Sequence, residues 1–193
     1  FLQPQLNNSN ILGSSFRLPY FHVLAENKDL TFTPIIFDND IYMIQNEYRQ
    51  ENKNSSLIAD LGFAKGYKSV VTDNKKKNIG HLFAKFDLNL DLESFIKSNL
   101  KISLENVTND TYLKVFDSNL TNTDPKIMPD NKGQLTSNLE LNLDHEKYSF
   151  DTGITAYETL SGTDSDRYQY VLPYYAFSKN LISNQLLSLN FNS

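Results

Sequence analysis

The sequence predicts an all-β protein, an up-and-down antiparallel meander of about ten strands. Three observations predict it. From His81 to Val107 the apolar residues recur at every second position: Leu82, Ala84, Phe86, Leu88 and Leu90, then Leu100, Ile102 and Leu104. Lys85, Asp87, Asn89, Asp91, Lys101, Ser103 and Glu105 fill the alternate positions, with Phe83 the exception on that side. Side chains on a strand point to opposite faces with period two, so each segment has one oily and one wet face. The same pattern returns at Leu135, Leu139, Leu141 and Leu143 against Thr136, Asn138, Glu140 and Asn142. Finally, no apolar run approaches the ~18 residues of a membrane-spanning helix.

Taken in order, residues 1–15 are polar with Gly and Pro and are expected to be a lead-in. Residues 16–24 suit a strand interrupted by Pro19, and 29–37 a second that meets Pro34. Asp38-Asn39-Asp40 is a tight turn of residues that tolerate positive φ. Strands are expected over 41–50, with Gln45, Glu47 and Arg49 on the wet face, and over 57–65, with Asp60 on it. A loop over 66–78 carries Lys75-Lys76-Lys77. The central hairpin breaks at 92–98. Residues 108–133 form the longest irregular stretch, with one helical turn near Tyr112 to Phe116. Strands follow at 135–143 and 148–156, then a loop at 160–166, an aromatic strand at Tyr168 to Ala176, a turn at 178–183 and a last strand from Leu187.

Two architectures satisfy this pattern. In a transmembrane barrel the oily face meets lipid and the wet face lines the lumen. In a soluble sandwich the oily faces of two sheets pack on each other. From 66 to 147 the connections alternate long and short, as barrels require and sandwiches do not; those after 156 do not separate cleanly. Hydrophobic content of 39% and mean hydropathy of -0.45 suit strands apolar on one face only. Tryptophan is absent, but 11 Tyr can serve in an interfacial girdle. The net charge of -5 argues against nucleic acid as a partner. With no cysteine, neither a disulfide framework nor a thiolate metal site exists within these residues.

Catalytic signals are missing. His22, His81 and His145 have no metal-ligand spacing, and there is no glycine-rich phosphate loop or nucleophile elbow. Asp164 and Asp166 suit a turn better than a cation site, and Lys75 to Lys77 suit a solvated loop better than a phosphate site. No catalytic residue, metal or cofactor is expected.

Several segments resemble one known family. Pro19-Tyr20-Phe21, followed by the block Asp29-Leu30-Thr31-Phe32-Thr33-Pro34, resembles the opening barrel strands of the LptD family. These are lipopolysaccharide-assembly outer-membrane proteins, also called organic solvent tolerance proteins. Gln45 to Arg49 resembles the family's next strand, Val107 to Phe116 a loop, and Tyr170 to Pro173 after Arg167 a later strand. The motifs fall in the family's order along nearly the whole chain. The loop departs at Lys114, where the family tends to carry an acidic residue before the Phe.

The resemblance implies that residues 16–193 are the N-terminal part of an outer-membrane β-barrel, cut at both ends from a longer chain. In the family, a periplasmic jelly-roll receives lipopolysaccharide from the periplasmic Lpt bridge, and the lipoprotein LptE plugs the barrel. The lipid enters the outer leaflet through a lateral gap between the first and last strands. The implied location is the bacterial outer membrane, with lipopolysaccharide, outer-membrane lipid, an LptE-like plug and the bridge as partners. Pro19 and Pro34 would lie beside the gate: proline cannot donate to a ladder, so each weakens strand pairing. Gln45, Glu47, Arg49, Asp60, Lys85 and Asp87 would line the lumen. Without the resemblance, another outer-membrane channel or a secreted sandwich module would fit the same residues.

Overall fold

A computed structural model of the chain describes residues 2–38, 40–69, 73–116, 119–120, 127–161, 167–184 and 187–192, with side chains outside 68–77, 172 and 180–192. The side chains of Lys75 to Lys77, and Asp164 and Asp166 altogether, lie outside the described residues. The described residues form one antiparallel sheet of 12 strands and one helical turn. In chain order these are β1 (Gln5–Ser9), β2 (Gly13–Arg17), β3 (Tyr20–Ala25), β4 (Lys28–Phe37), β5 (Tyr42–Glu51), β6 (Ser55–Ser69), β7 (Asp73–Asn89), β8 (Lys97–Val107), α1 (Tyr112–Phe116), β9 (Gln134–His145), β10 (Tyr148–Thr159), β11 (Tyr168–Asn184) and β12 (Leu187–Asn192). Neighbours in sequence are neighbours in the sheet, except that β2 and β3 both pair with β4. The sheet is an open meander: β1 and β12 are not paired with each other.

The meander and the helical turn are as the sequence predicts, and four local readings are corrected. The lead-in contains a hairpin, β1 with β2, running from Gln5↔Arg17 to Ser9↔Gly13. The strand expected over 16–24 is divided at Leu18 and Pro19. Gly66 does not end its strand. It takes φ +95° at a register shift, and a Cβ there would lie 2.4 Å from the Asp40 carbonyl oxygen. It is a bulge glycine, so β6 and β7 run on through the expected loop. The turn expected at 178–183 is strand too, irregular between Asn180 and Ile182. Its mixed residues hide the alternation.

One face of the sheet carries Ile36, Leu61, Phe63, Ile102, Leu104, Leu139 and Ile154, all exposed. Phe86 and Leu141 on that face are half-buried. Among the described residues no second sheet covers it, so they form no two-sheet sandwich. The buried core lies on the other face and near one end of the strands. There Ile35, Phe37, Met43, Ile79 and Phe83 are covered by Tyr112, Leu113, Phe116, Leu120, Ile127 and Met128 of the segment between β8 and β9. Phe116 sits at the centre, with ring centroids 6.0 Å from Phe37, 5.8 Å from Tyr67 and 5.1 Å from Tyr112.

Candidate functional site: the proline seam and the polar face

Pro19 and Pro34 come together on one seam. Pairs from Ser15↔Phe37 to Arg17↔Ile35 and from Tyr20↔Phe32 to Val23↔Asp29 keep one register across β2, β3 and β4. That register sets Leu18 opposite Pro34 and Pro19 opposite Thr33. The Leu18 N–H donates to the Pro34 carbonyl at 3.2 Å. In an antiparallel ladder a residue's N–H and C=O point to the same neighbour. The N–H that Pro34 lacks is therefore the one that would return this bond to Leu18. The ladder from β4 to β5 is continuous from Lys28↔Gln50 to Ile36↔Tyr42, so Pro34 weakens one side of its strand only. Pro19 points the other way, its carbonyl accepting from the Leu2 N–H at 3.0 Å. Beyond it β3 is a short strand, exposed from Tyr20 to Leu24.

Gln45, Glu47, Arg49, Asp60, Lys85 and Asp87 share the face opposite the exposed apolar one. The pairs Gln45↔Gly62, Glu47↔Asp60, Arg49↔Ile58, Ile58↔Lys85 and Ser56↔Asp87 place them there. They divide into two groups. Gln45, Glu47 and Asp60 are buried, where a hydrated surface was expected. The cause is the segment after β8, which folds down over them. The Gln45 amide donates to Asp60 Oδ2 at 2.6 Å. Asp60 Oδ1 lies 3.3 Å from His81 Nε2, with both side chains fully sealed from solvent, although neither atom makes an aligned hydrogen bond among the described residues. His81 Nδ1 is 2.7 Å from the Tyr112 hydroxyl. Burial first, and the Asp60 charge second, push the Tyr112 hydroxyl above its usual range. Tyr112 thus keeps its proton and faces His81 Nδ1 with a neutral hydroxyl.

Two glycines make room for this imidazole and its strand. A Cβ at Gly62 would sit 2.3 Å from His81 Cε1, and one at Gly80 would sit 2.4 Å from the Gly62 carbonyl oxygen. From sequence alone His81 is a histidine without metal-ligand spacing and Tyr112 the start of a helical turn, and nothing there pairs them. The signal available was that His81 shares the parity of Lys85 and has a glycine directly before it. The cluster has no open side for a substrate, and among the described residues no group of His, Asp and Glu is arranged to hold a metal ion. Its chemistry is that of a latch.

The second group is open to solvent. Arg49 is half-exposed and pairs with Asp29 at 3.0 Å and Glu47 at 3.6 Å. Lys85 and Asp87 line a polar cleft of about 490 Å³ with Lys101, Glu105, Asp130 and Glu140. Both signs of charge alternate along it. The Glu105 carboxylate is fixed by the Thr136 N–H at 2.7 Å.

Further along the strands, Arg167 binds two carboxylates. It meets Asp110 at 2.8 and 3.2 Å and Glu158 at 2.7 and 2.9 Å. Its hydrogen bonds to Asp110, then to Glu158, raise its affinity for its proton further. This fork joins the segment after β8 to the ends of β10 and β11.

No model of a protein family matches the chain. Over 168 residues it is 24% identical to the LPS-assembly protein LptD of Legionella pneumophila strain Lens, covering 83% of this chain and 19% of that protein. LptD proteins of the strains Paris and Philadelphia 1 match with the same identity and coverage. The chain therefore spans about a fifth of the length of the curated relatives it matches. What these matches establish is a distant similarity to one part of LptD.

Proposed function

We propose that this chain is the early part of an outer-membrane β-barrel of the LptD kind, which inserts lipopolysaccharide into the outer leaflet through a lateral opening. The observation that carries the reading is the uncovered apolar face of a single curved meander. In water such a face would be an aggregation hazard; against lipid it is the required surface. Its outward residues on β10, Tyr148 to Ala156, extend about 26 Å along the strand. At a tilt of roughly 40° that is about 20 Å of height, most of the ~25 Å apolar band of outer-membrane barrels. The opposite face is polar and suits a hydrated lumen, where sugars or an LptE-like plug would meet Lys85, Asp87 and Arg49. The β2/β3–β4 seam, weakened at Pro34, lies beside the lateral opening. The jelly-roll that meets the periplasmic bridge, and the closing strands, would belong to other parts of the longer protein. The chain has a transport role and carries out no reaction.

The test depletes the full-length protein in its own cells and follows newly made lipopolysaccharide. Loss of surface lipopolysaccharide, with accumulation beneath the outer membrane, is expected. Normal delivery with slowed entry of small hydrophilic solutes would instead make the protein a diffusion channel.

A further inference from the structure

The segment between β8 and β9 makes directional contacts with strands near both ends of the sheet. Asp110 takes Arg167, at the start of β11, in the fork described above. Asn119 Oδ1 accepts from Asn7 Nδ2 on β1 and from Ser15 Oγ on β2, each at 3.0 Å. Between them Tyr112 meets His81 on β7. In hydrogen-bonded order β1 is the first strand of the sheet and β11 the last but one, joined by the path β1-β2-β4-β5-β6-β7-β8-β9-β10-β11. Those nine spacings make about 43 Å along the sheet, at ~4.8 Å each. The chain from Asp110 to Asn119 contains the helical turn and spans at most about 23 Å. Even with the reach of the Arg167 side chain, it cannot lie along the sheet between its anchors. The sheet is curled, and this segment is a chord across its hollow side.

We propose that the segment between β8 and β9 acts, through its described residues Asp110, Tyr112 and Asn119, as an internal tie that sets the curvature of the sheet. Its anchors are Asp110–Arg167 at one end, Asn119 with Asn7 and Ser15 at the other, and Tyr112–His81 between. The apolar contacts of Phe116 and Leu113 hold the tie down but do not fix its length, because hydrophobic burial has no direction. The hydrogen bonds and the Arg167 fork are directional and supply that. The proposal does not depend on which molecule the protein transports.

Spin-label distances in the full-length protein, folded in phospholipid vesicles, test it. The 193 residues hold no cysteine, and any elsewhere in the full-length protein would be replaced by serine. Labels go on Leu6→Cys in β1 and Tyr170→Cys in β11, both well exposed. One narrow distance is expected when the tie is intact. In the triple variant Asp110→Asn, Tyr112→Phe, Asn119→Ala, the mean distance lengthens by at least one strand spacing, about 5 Å. An unchanged distribution in the triple variant overturns the proposal. If that variant does not fold, Asp110→Asn alone must broaden the distribution, and the exchange Asp110→Arg with Arg167→Asp must restore it. If both match the unmodified protein, the strands alone set the curvature.

Discussion

Gly80 and Gly62 are tested by adding one carbon. At Gly80 the added Cβ meets the backbone oxygen of Gly62, which cannot move without disturbing the ladder to β6. At Gly62 it meets the rim of the His81 ring, which can swing away but would then give up Tyr112. Gly80→Ala is therefore expected to cost more than Gly62→Ala, toward the upper part of the roughly 1–3 kcal/mol range of overpacking. Urea unfolding of the two variants in detergent or vesicles gives the order, and equal losses would contradict it. Tyr112 carries the next prediction. Its folded pKa is raised by burial above the ~10 of an unfolded tyrosine. The neutral hydroxyl is thus favoured by folding. The contribution is fully present below pH ~10 and is lost as pH climbs from there toward the folded value. In an alkaline titration read by phenolate absorbance, one tyrosine should ionise last, and Tyr112→Phe should remove that step. At this scale the sequence was least informative. That Gln45, Glu47, Arg49, Asp60, Lys85 and Asp87 share a face follows from period-two spacing and could be read directly. That three of them are dry could not, because it depends on a segment some fifty residues downstream folding back over them.

The elements were read well wherever one face is oily. The hairpin from His81 to Val107, the β9–β10 hairpin and the helical turn at Tyr112–Phe116 all follow from local pattern. The failures have local causes as well. A polar hairpin at residues 5–17 gives no oily stripe to detect, and Gly66 looks like a turn when it is a bulge. Pro173 falls where β11 slips register between Val171 and Tyr174 against β10, the kind of place where a strand tolerates proline. The prolines of the β2/β3–β4 seam allow a sharper prediction than their residue type does. Pro34→Ala restores an N–H aimed at Leu18, worth about 0.5–1.5 kcal/mol net, and more beside lipid. Pro19→Ala restores one aimed away from β4. Hydrogen exchange at the Leu18 amide should therefore slow in the Pro34 variant and not in the Pro19 variant. On the proposed function, lipopolysaccharide delivery should slow in step with the Pro34 variant alone. Equal slowing in both variants would mean that the prolines act by bending the strand, not by the missing bond.

At the scale of the whole molecule, the two faces make opposite demands on the same substitution. Ile102 lies in the middle of the exposed apolar face, between Phe86 on β7 and Leu139 on β9. Ser103, its neighbour in sequence, points to the other side and lines the polar cleft. If the apolar face meets lipid, Ile102→Arg places a charge near the bilayer midplane at a cost of about 2–4 kcal/mol. Ser103→Arg adds a cation to a face that already holds Lys85, Asp87, Lys101 and Glu140, where solvent and carboxylates receive it. If the apolar face met water instead, Ile102→Arg would be a surface substitution, within about 0.5 kcal/mol of neutral and helpful to solubility. The two surroundings thus predict a difference of a few kcal/mol between the variants in lipid and almost none in water. Unfolding of the full-length protein from phospholipid vesicles measures it. A large loss at Ile102 with little at Ser103 is the signature of a lipid-facing belt. Near-equal, small changes would remove the membrane from the account, and lipopolysaccharide delivery with it, while the sheet and its register would stand.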